Sequence, residues 1–362
     1  MADTKTNMKE EEDKNRARME DRLENLPESL QFHILTLLNT KKAVQISMLS
    51  KQWLSIWTSK PVLHLNSSDF RWLDDFDNFV NHVLRHRDHS AELNTLTFTR
   101  RGYSSRNFVK EVLEYAISHG VNHLTLLIER FENDYNWDVN NCLHTSSNSL
   151  KTLKLKTQSH TRPVLSGSFK NLTILYLKRA IIVKDHEPFL LGFPMLEKLV
   201  LKDCYLGKIL GVEALKLSDL TISDSCFGRC ELTTPNLRFF KYRGSYFQEL
   251  QTNGGLPALD TVVIDSNGFR NPLGKRLTIE DLVRLVRGHG NTKKIEDLVS
   301  LFRGLGNAKS VTLSSSMCPI RLILSLNNHV QTKYVTRMGM KMRMQENENE
   351  NEYCIDVMML LG

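Results

Sequence analysis

The chain has 362 residues, 41% hydrophobic and 25% charged, with a formal net charge of +7. This composition excludes a fibrous or wholly disordered protein, and the length suits one large domain or two to three ordinary ones. The positive balance is mild, so it permits an acidic partner without demanding nucleic acid. The six cysteines lack the paired spacing of a disulfide framework, which points to a reducing compartment, cytoplasmic and/or nuclear.

In chain order, residues 1–20 (MADTKTNMKEEEDKNRARME) are almost wholly polar and carry no apolar signal-peptide core, so they read as a disordered leader. No run of about 18 apolar residues follows, so no membrane span is expected. Over 21–61, Leu23, Leu26, Leu30, Ile34, Leu37 and Leu38 recur three to four apart, the mark of an amphipathic helix. Pro27 suits its first turn. Asn39-Thr40 breaks the run, and Thr40 suits the cap of a second helix from near Lys41 carrying Ala43, Val44 and Ile46. Ser50 suits the cap of a third helix carrying Trp53, Leu54 and Trp57, closed by Pro61. Three short helices in about forty residues lie near the lower limit for independent folding. Their apolar surface needs cover from the rest of the chain or from another protein. Trp53 and Trp57 are either core residues or part of a docking plug.

Residues 62–90 read as a connection, with a strand near 62–65 and a helix near 74–86. From 91 to 315 a phrase recurs: leucine, two residues, leucine, one residue, apolar. It reads LKTLKL (150–155), LTILYL (172–177), LEKLVL (196–201), LSDLTI (217–222), LRFFKY (237–242) and LDTVVI (259–264), with starts 22, 24, 21, 20 and 22 residues apart. Weaker copies are LNTLTF (93–98), VNHLTL (121–126) and AKSVTL (308–313). The period is that of leucine-rich repeats, and Cys204 stands where such a repeat takes Asn or Cys. FKNL, FPML, TPNL and LPAL announce several copies as turns before strands. Each copy alone cannot bury its leucines; stacked copies share one core behind a parallel sheet. The uneven spacing predicts an irregular solenoid.

If the register holds, the outward positions between the leucines are Lys154, Lys156, Tyr176, Lys178, Val200, Lys202, Thr221, Ser223, Lys241, Arg243, Val263 and Asp265. They form a basic stripe with a tyrosine in it. Lys154, Lys156, Tyr176, Lys178, Lys202, Lys241 and Arg243 are the candidate target-binding residues, suited to an acidic or phosphorylated segment or a phosphorylated small molecule. The same lysines would also serve simply to keep an open sheet soluble.

Other constellations are weaker. His82, His86 and His89 share a helical face, with no carboxylate or cysteine motif nearby, and read as a solvated face rather than metal ligands. Cys226 and Cys230 have no second pair to complete a zinc set and read as free thiols. No hydrolase, metalloprotease or kinase signature occurs, so no catalytic residue, metal or cofactor is expected. IEDLVRLVRGHGNTKK (279–294) is followed at once by IEDLVSLFRGLGNAKS (295–310), a tandem duplication identical at 11 of 16 positions. Each copy reads as a short helix ending at Gly288 or Gly304. Residues 316–362, with the tract QENENENE, read as an atypical, partly disordered tail, or one that lays YCIDVMMLL (353–361) against the last repeat.

The run DRLENLPESLQFHILTLLNTKKAVQISMLSKQWLSIW (21–57) resembles an F-box, particularly the plant form, on Asp21-Arg22, Leu26-Pro27, Leu30, His33-Ile34-Leu35, Leu38, Lys41, Ala43-Val44, Ser47, Leu49-Ser50-Lys51, Trp53 and Trp57. With the repeats, 21–315 resembles the plant F-box/leucine-rich-repeat family. The fold then implied is α+β or α/β: a three-helix F-box followed by an irregular leucine-rich-repeat solenoid with a parallel sheet. The resemblance implies docking on a Skp-family adaptor, and through it a cullin, with Leu26, Pro27, Leu30, Ile34, Val44, Leu49, Ser50, Trp53 and Trp57 in the docking surface or its support. It further implies a non-catalytic receptor that holds a target protein for ubiquitination. Two other readings remain: a binding scaffold that recruits no ligase, and nucleic-acid binding through the basic stripe, although that stripe lacks the interleaved aromatics single strands favour.

Overall fold

The computed structural model describes residues 26–48, 51–131, 137–138, 149–158, 163–164, 169–181, 193–207, 209–225, 229–244, 249–252, 255–266, 308, 310–313, 340–346 and 353–359. They divide into two units, Met1–Asp134 and Tyr135–Gly362. The described residues of the tandem duplication are only 308 and 310, so the two expected helices lie outside them, as do Leu49 and Ser50.

The first unit opens with helix α1 (Glu28–Leu37), which starts directly after Pro27. The Pro27 carbonyl accepts from the N–H groups of Leu30 and Gln31 at 2.9 and 3.1 Å. Pro27 itself has no N–H to lose there. Helix α2 (Thr40–Ser47) is capped by Asn39, whose Oδ1 accepts from the Lys42 N–H at 2.9 Å. The cap expected at Thr40 is thus one residue earlier. Thr40 is buried instead, and its hydroxyl accepts from the His64 N–H at 2.8 Å. Helix α3 (Lys51–Thr58) turns Trp53, Ile56 and Trp57 inward.

A βαβαβ run completes this unit: β1 (Val62–Asn66), a 3₁₀ turn (Ser67–Asp69), α4 (Leu73–His86), β2 (Thr95–Ser104), α5 (Arg106–Ser118) and β3 (His123–Phe131). β2 pairs in parallel with both β1 and β3. The segment read as a connection therefore supplies the first strand and first helix of this sheet. Phe76, Val80 and Val83 bury one stripe of α4, and Val109, Val112, Leu113 and Ala116 one stripe of α5.

Two buried cations tie the three helices to this sheet. Lys60, 1% exposed, donates from Nζ to the Leu38 carbonyl after α1 at 2.6 Å. Arg87, equally buried, donates to the carbonyls of Lys60, Ala91 and Glu92 and to the Tyr115 hydroxyl. Lys41 adds a bond from Nζ to the Asp69 carbonyl at 2.6 Å and stands 4.1 Å from the Phe70 ring centroid.

In the second unit the repeat phrases and the strands coincide: β5 (Thr152–Thr157), β7 (Ile174–Lys178), β8 (Lys198–Lys202), β10 (Asp219–Ser223), β12 (Phe239–Gly244), β14 (Thr261–Ser266) and β15 (Ser310–Leu313). They lie side by side in that order and run parallel. The register aligns Leu153, Leu175, Leu199, Leu220, Phe240 and Val262 in one buried row and Leu155, Leu177, Leu201, Ile222, Tyr242 and Ile264 in a second. The return segments add β9 (Ile209–Glu213), β11 (Arg229–Thr233) and β13 (Glu249–Thr252) as a separate parallel sheet, and the short pair β4 (Trp137–Asp138) and β6 (Pro163–Val164).

Each strand is entered and left in the same way. Before five of them a turn closes on a bond from the last to the first residue: Leu172 to Phe169, Leu196 to Phe193, Leu217 to Ala214, Leu237 to Thr234 and Leu259 to Leu256. Pro194, Pro235 and Pro257 fill the second position of their turns, where a fixed φ is favoured. After β7, β8 and β10 the chain kinks through Arg179, Asp203 and Asp224 at φ of 57, 58 and 49°. Aspartate tolerates this left-handed region better than most residues. Their N–H groups donate to the Lys202, Ser223 and Arg243 carbonyls at 2.9, 2.8 and 2.7 Å. Cys204 then buries its Sγ against the carbonyls of Leu177 and Lys202.

The tail contributes two strands, and of its two readings the one that lays YCIDVMMLL against the last repeat matches the pairing. β16 (Met340–Glu346) and β17 (Tyr353–Met359) pair antiparallel, and β17 pairs antiparallel with β15. The alternation in MKMRMQE is a strand signal that the neighbouring Asn/Glu tract masks.

Two measurements probe this packing. Burial lowers the Lys60 pKa to about 8, against about 10.4 in an unfolded chain. Between these values the unfolded state binds more protons, so Lys60 makes stability rise with pH through that window, and below it the burial cost is present in full. The Lys60→Met variant should lose this rise, read as the difference in urea-unfolding free energy between variant and wild type from pH 7 to 10.5; parallel curves would mean the ammonium is not desolvated. Separately, Trp53→Ala should cost about 3–5 kcal/mol and Leu37→Ala less than about 0.5 kcal/mol, measured in the same urea assay.

Candidate functional surfaces

The helical surface of the first unit is built from residues that have no inward place. Gln31 and Leu35 occupy the inner face of α1, which leaves Pro27, Leu30, Ile34 and Leu37 along the outer one. Leu37 is 74% and Met48 84% exposed, and Leu30 and Leu54 are half-exposed. Leu26, Ile34 and Val44 are partly covered. Trp53 and Trp57, by contrast, are 0% and 2% exposed. They can act only as support beneath this surface, and the idea of a tryptophan docking plug gives way to an aliphatic face. The reason is geometric: at a spacing of four the two indoles share one side of α3, and that side is the covered one. Leu37 and Met48, with half-exposed Leu54 and Phe32, were not singled out from sequence. Leu37 belongs to the same apolar stripe as Leu26, Leu30 and Ile34, which were assigned to the docking surface or its support. Several exposed apolar residues on one small helical module suit an interaction surface.

On the sheet of the second unit the register sets the outward residues in two rows. One runs Lys154, Tyr176, Val200, Thr221, Lys241, Val263, and the other Lys156, Lys178, Lys202, Ser223, Arg243, Asp265. The rows are not uniformly basic. Val200 and Ser223 are buried in the middle, and Arg243 lies 3.9 Å from the Asp224 and 3.5 Å from the Asp265 carboxylate. Tyr176 stands with the ammonium groups of Lys156 and Lys202 at 5.1 and 5.5 Å from its ring centroid. Burial raises the phenol's pKa, and the charge of Lys178 opposes that rise.

The remaining candidates are the α4 histidines and the cysteines. His82 and His86 are exposed on α4 with their rings stacked at 4.0 Å, and no described cluster of His, Cys, Asp and Glu is placed to hold a metal. Burial pushes the Cys230 thiol up to about 12, which leaves it un-ionised and inert. Cys226 lies outside the described residues. Among the described residues no helix is long and apolar enough to cross a membrane.

Comparison with known proteins matches the helical module and the repeat region in turn. A family model described as F-box domain matches residues 23–65. A second, described as At1g61320/AtMIF1, LRR domain, matches residues 85–269. F-box/LRR-repeat protein 25 of Arabidopsis thaliana is 30% identical over 236 residues, covering 63% of this chain and 88% of that protein. The Arabidopsis F-box/LRR-repeat protein At5g02930 is 30% identical over 237 residues, covering 62% of this chain and 48% of the relative. The F-box/FBD/LRR-repeat protein At4g03220 from the same plant is 30% identical over 267 residues, covering 68% and 52%. The chain thus spans about half the length of the last two relatives. With three helices and an in-register repeat sheet matched by both family models, the chain belongs to the plant F-box/leucine-rich-repeat family.

Proposed function

We infer that this chain is a non-catalytic substrate-recognition subunit of a Skp–cullin–F-box ubiquitin ligase. The observation that carries the reading is the exposed aliphatic face of α1–α3, with Leu30, Leu37, Met48 and Leu54 outward over a closed tryptophan core. A face of this composition at the rim of a small helical module suits a partner that brings its own apolar helices. The Skp-family adaptor is that partner and links the chain to a cullin. The repeat sheet holds the target protein, and its basic positions select an acidic or phosphorylated segment. No residue of this chain performs a chemical step. The receptor acts by raising the effective concentration of the target's lysines at the transferring enzyme.

The buried joint between α1–α3 and the first βαβαβ sheet supports this reading. A receptor that works by position needs little play between its docking module and the body that follows, and Lys60 and Arg87 are bonded across that joint.

Co-expression of the full chain with a plant Skp-family adaptor tests it. A soluble one-to-one complex is expected, lost in a Leu37→Asp/Met48→Asp variant whose thermal unfolding is unchanged. A folded protein that captures no adaptor would leave the alternative, an interaction scaffold that recruits no ligase.

A further inference from the structure

On the sheet face of the second unit the basic side chains fall into two unlike halves. On β10, β12 and β14 charge is answered from within, because Arg243 lies between the carboxylates of Asp224 and Asp265. Lys241 stands in register between Thr221 and Val263, apart from other cations in its row. On β5, β7 and β8 the situation is the reverse. Lys156, Lys178 and Lys202 share one register level on three adjacent strands. Among the described residues no carboxylate is ion-paired with any of them, and Asp203, next to Lys202 in the chain, is held at 3.2 Å by Arg179.

The three lysines also converge. Parallel strands lie about 4.8 Å apart, so the three Cα atoms span only about 10 Å. Tyr176 sits on the middle strand, two residues before Lys178. The ammonium of Lys156 reaches it from one side and that of Lys202 from the other, at 5.1 and 5.5 Å from the ring centroid. Attraction to the ring face holds both outer lysines over the middle strand, where they would otherwise splay into solvent. The phenol, protonated at neutral pH, adds a donor at the same place. Lys154, level with Tyr176 on β5, is exposed and extends the positive field to that flank.

Three lysines at one register level, with no ion-paired carboxylate among the described residues, repel one another. A ligand that relieves the repulsion must carry more than one negative charge in a small volume and offer acceptors in several directions. A carboxylate or a phosphodiester carries a single charge. A phosphate monoester carries about −1.5 to −2 at neutral pH and three strong acceptor oxygens. Lysine binds such a group as a point charge and needs no forked geometry. We propose that Lys156, Lys178 and Lys202, with Tyr176 between them, form a subsite for a phosphate monoester carried on a phosphorylated serine, threonine or tyrosine of the target. The subsite rests on the target-holding reading of this face and narrows it. It excludes Lys241 and Arg243 from anion capture and places the phosphorylated residue over β7.

Phosphorus NMR titration of the full chain with phenyl phosphate tests the subsite without knowledge of the target. Saturable broadening of the ligand resonance is expected. Lys178→Met, and the pair Lys156→Met/Lys202→Met, should weaken binding at least about tenfold. Tyr176→Phe keeps the ring and removes the hydroxyl, and should weaken it about two- to threefold. Lys241→Met and Arg243→Gln should leave it unchanged, with thermal unfolding of every variant confirming an intact fold. Benzoate, the same ring with a carboxylate, followed by proton NMR, should bind at least about tenfold more weakly than phenyl phosphate. The proposal is overturned by no saturation in the wild type, by equal binding of benzoate, or by an equal loss in Lys241→Met. Tighter binding of a deca-thymidylate than of phenyl phosphate would also overturn it and make the face a nucleic-acid surface. Failure here leaves adaptor capture untouched, and failed adaptor capture with phenyl phosphate still bound would remove the ligase reading alone.

Discussion

The structure depends on one constraint: no single repeat can bury its own leucines. A strand with two inward apolar residues gains little until a neighbour covers them, so strands must stack with identical levels aligned. A slip of one residue would turn the buried rows outward and bring Lys156, Lys178 and Lys202 inward, at a cost no local interaction offsets. The turns before the strands and the left-handed kinks after them defend the same register. Turns at Phe193–Leu196, Thr234–Leu237 and Leu256–Leu259 start β8, β12 and β14 at matching levels, and Asp203 and Asp224 release the chain from the sheet at matching levels. The outward rows follow from this constraint, because once the leucines are aligned the residues between them have no freedom of position.

In the first unit the corresponding element is a buried polar joint rather than a register. Lys60 and Arg87 donate to backbone carbonyls where α1, α3, α4 and the loop before β2 meet. Buried cations are costly unless fully bonded. Arg87 distributes its donors over three carbonyls and one hydroxyl, and the burial of Lys60 lowers that residue's own pKa. Such a joint fixes geometry more than it adds stability, and for a docking module geometry is the property that matters.

Much of this architecture was legible in the sequence, and the reasons are specific. LKTLKL, LTILYL and LEKLVL announce parallel strands because a strand buried on one face has period two and a stacked repeat has a fixed length. FPML and TPNL announce turns because proline fixes φ where the turn needs it. Position within the helical module was less legible. Apolar spacing marks Trp53, Trp57, Leu30 and Leu37 alike, and spacing does not say which face meets the chain's own core. The indoles went inward and the leucines stayed out. In the tail, YCIDVMMLL reads as able to lie against the last repeat, and β17 does so, whereas β16 was hidden because its pairing is long-range while the adjacent Asn/Glu tract dominates the local composition.

The basic stripe illustrates the same limit in electrostatics. Counting charges along the strands makes Lys202 and Arg243 equivalent, because both are cations at the same level of a repeat. Their surroundings separate them. Arg243 has carboxylates one strand away on either side, at Asp265 and just past β10 at Asp224, and its field is largely cancelled within a few ångströms. Lys202 leans toward an aromatic ring that attracts a cation but carries no charge to neutralise it. A cation held in place yet left uncompensated retains its capacity to bind an anion, whereas one paired internally would have to break its pair first. Binding capacity on this sheet therefore follows how each charge is held rather than how many charges there are.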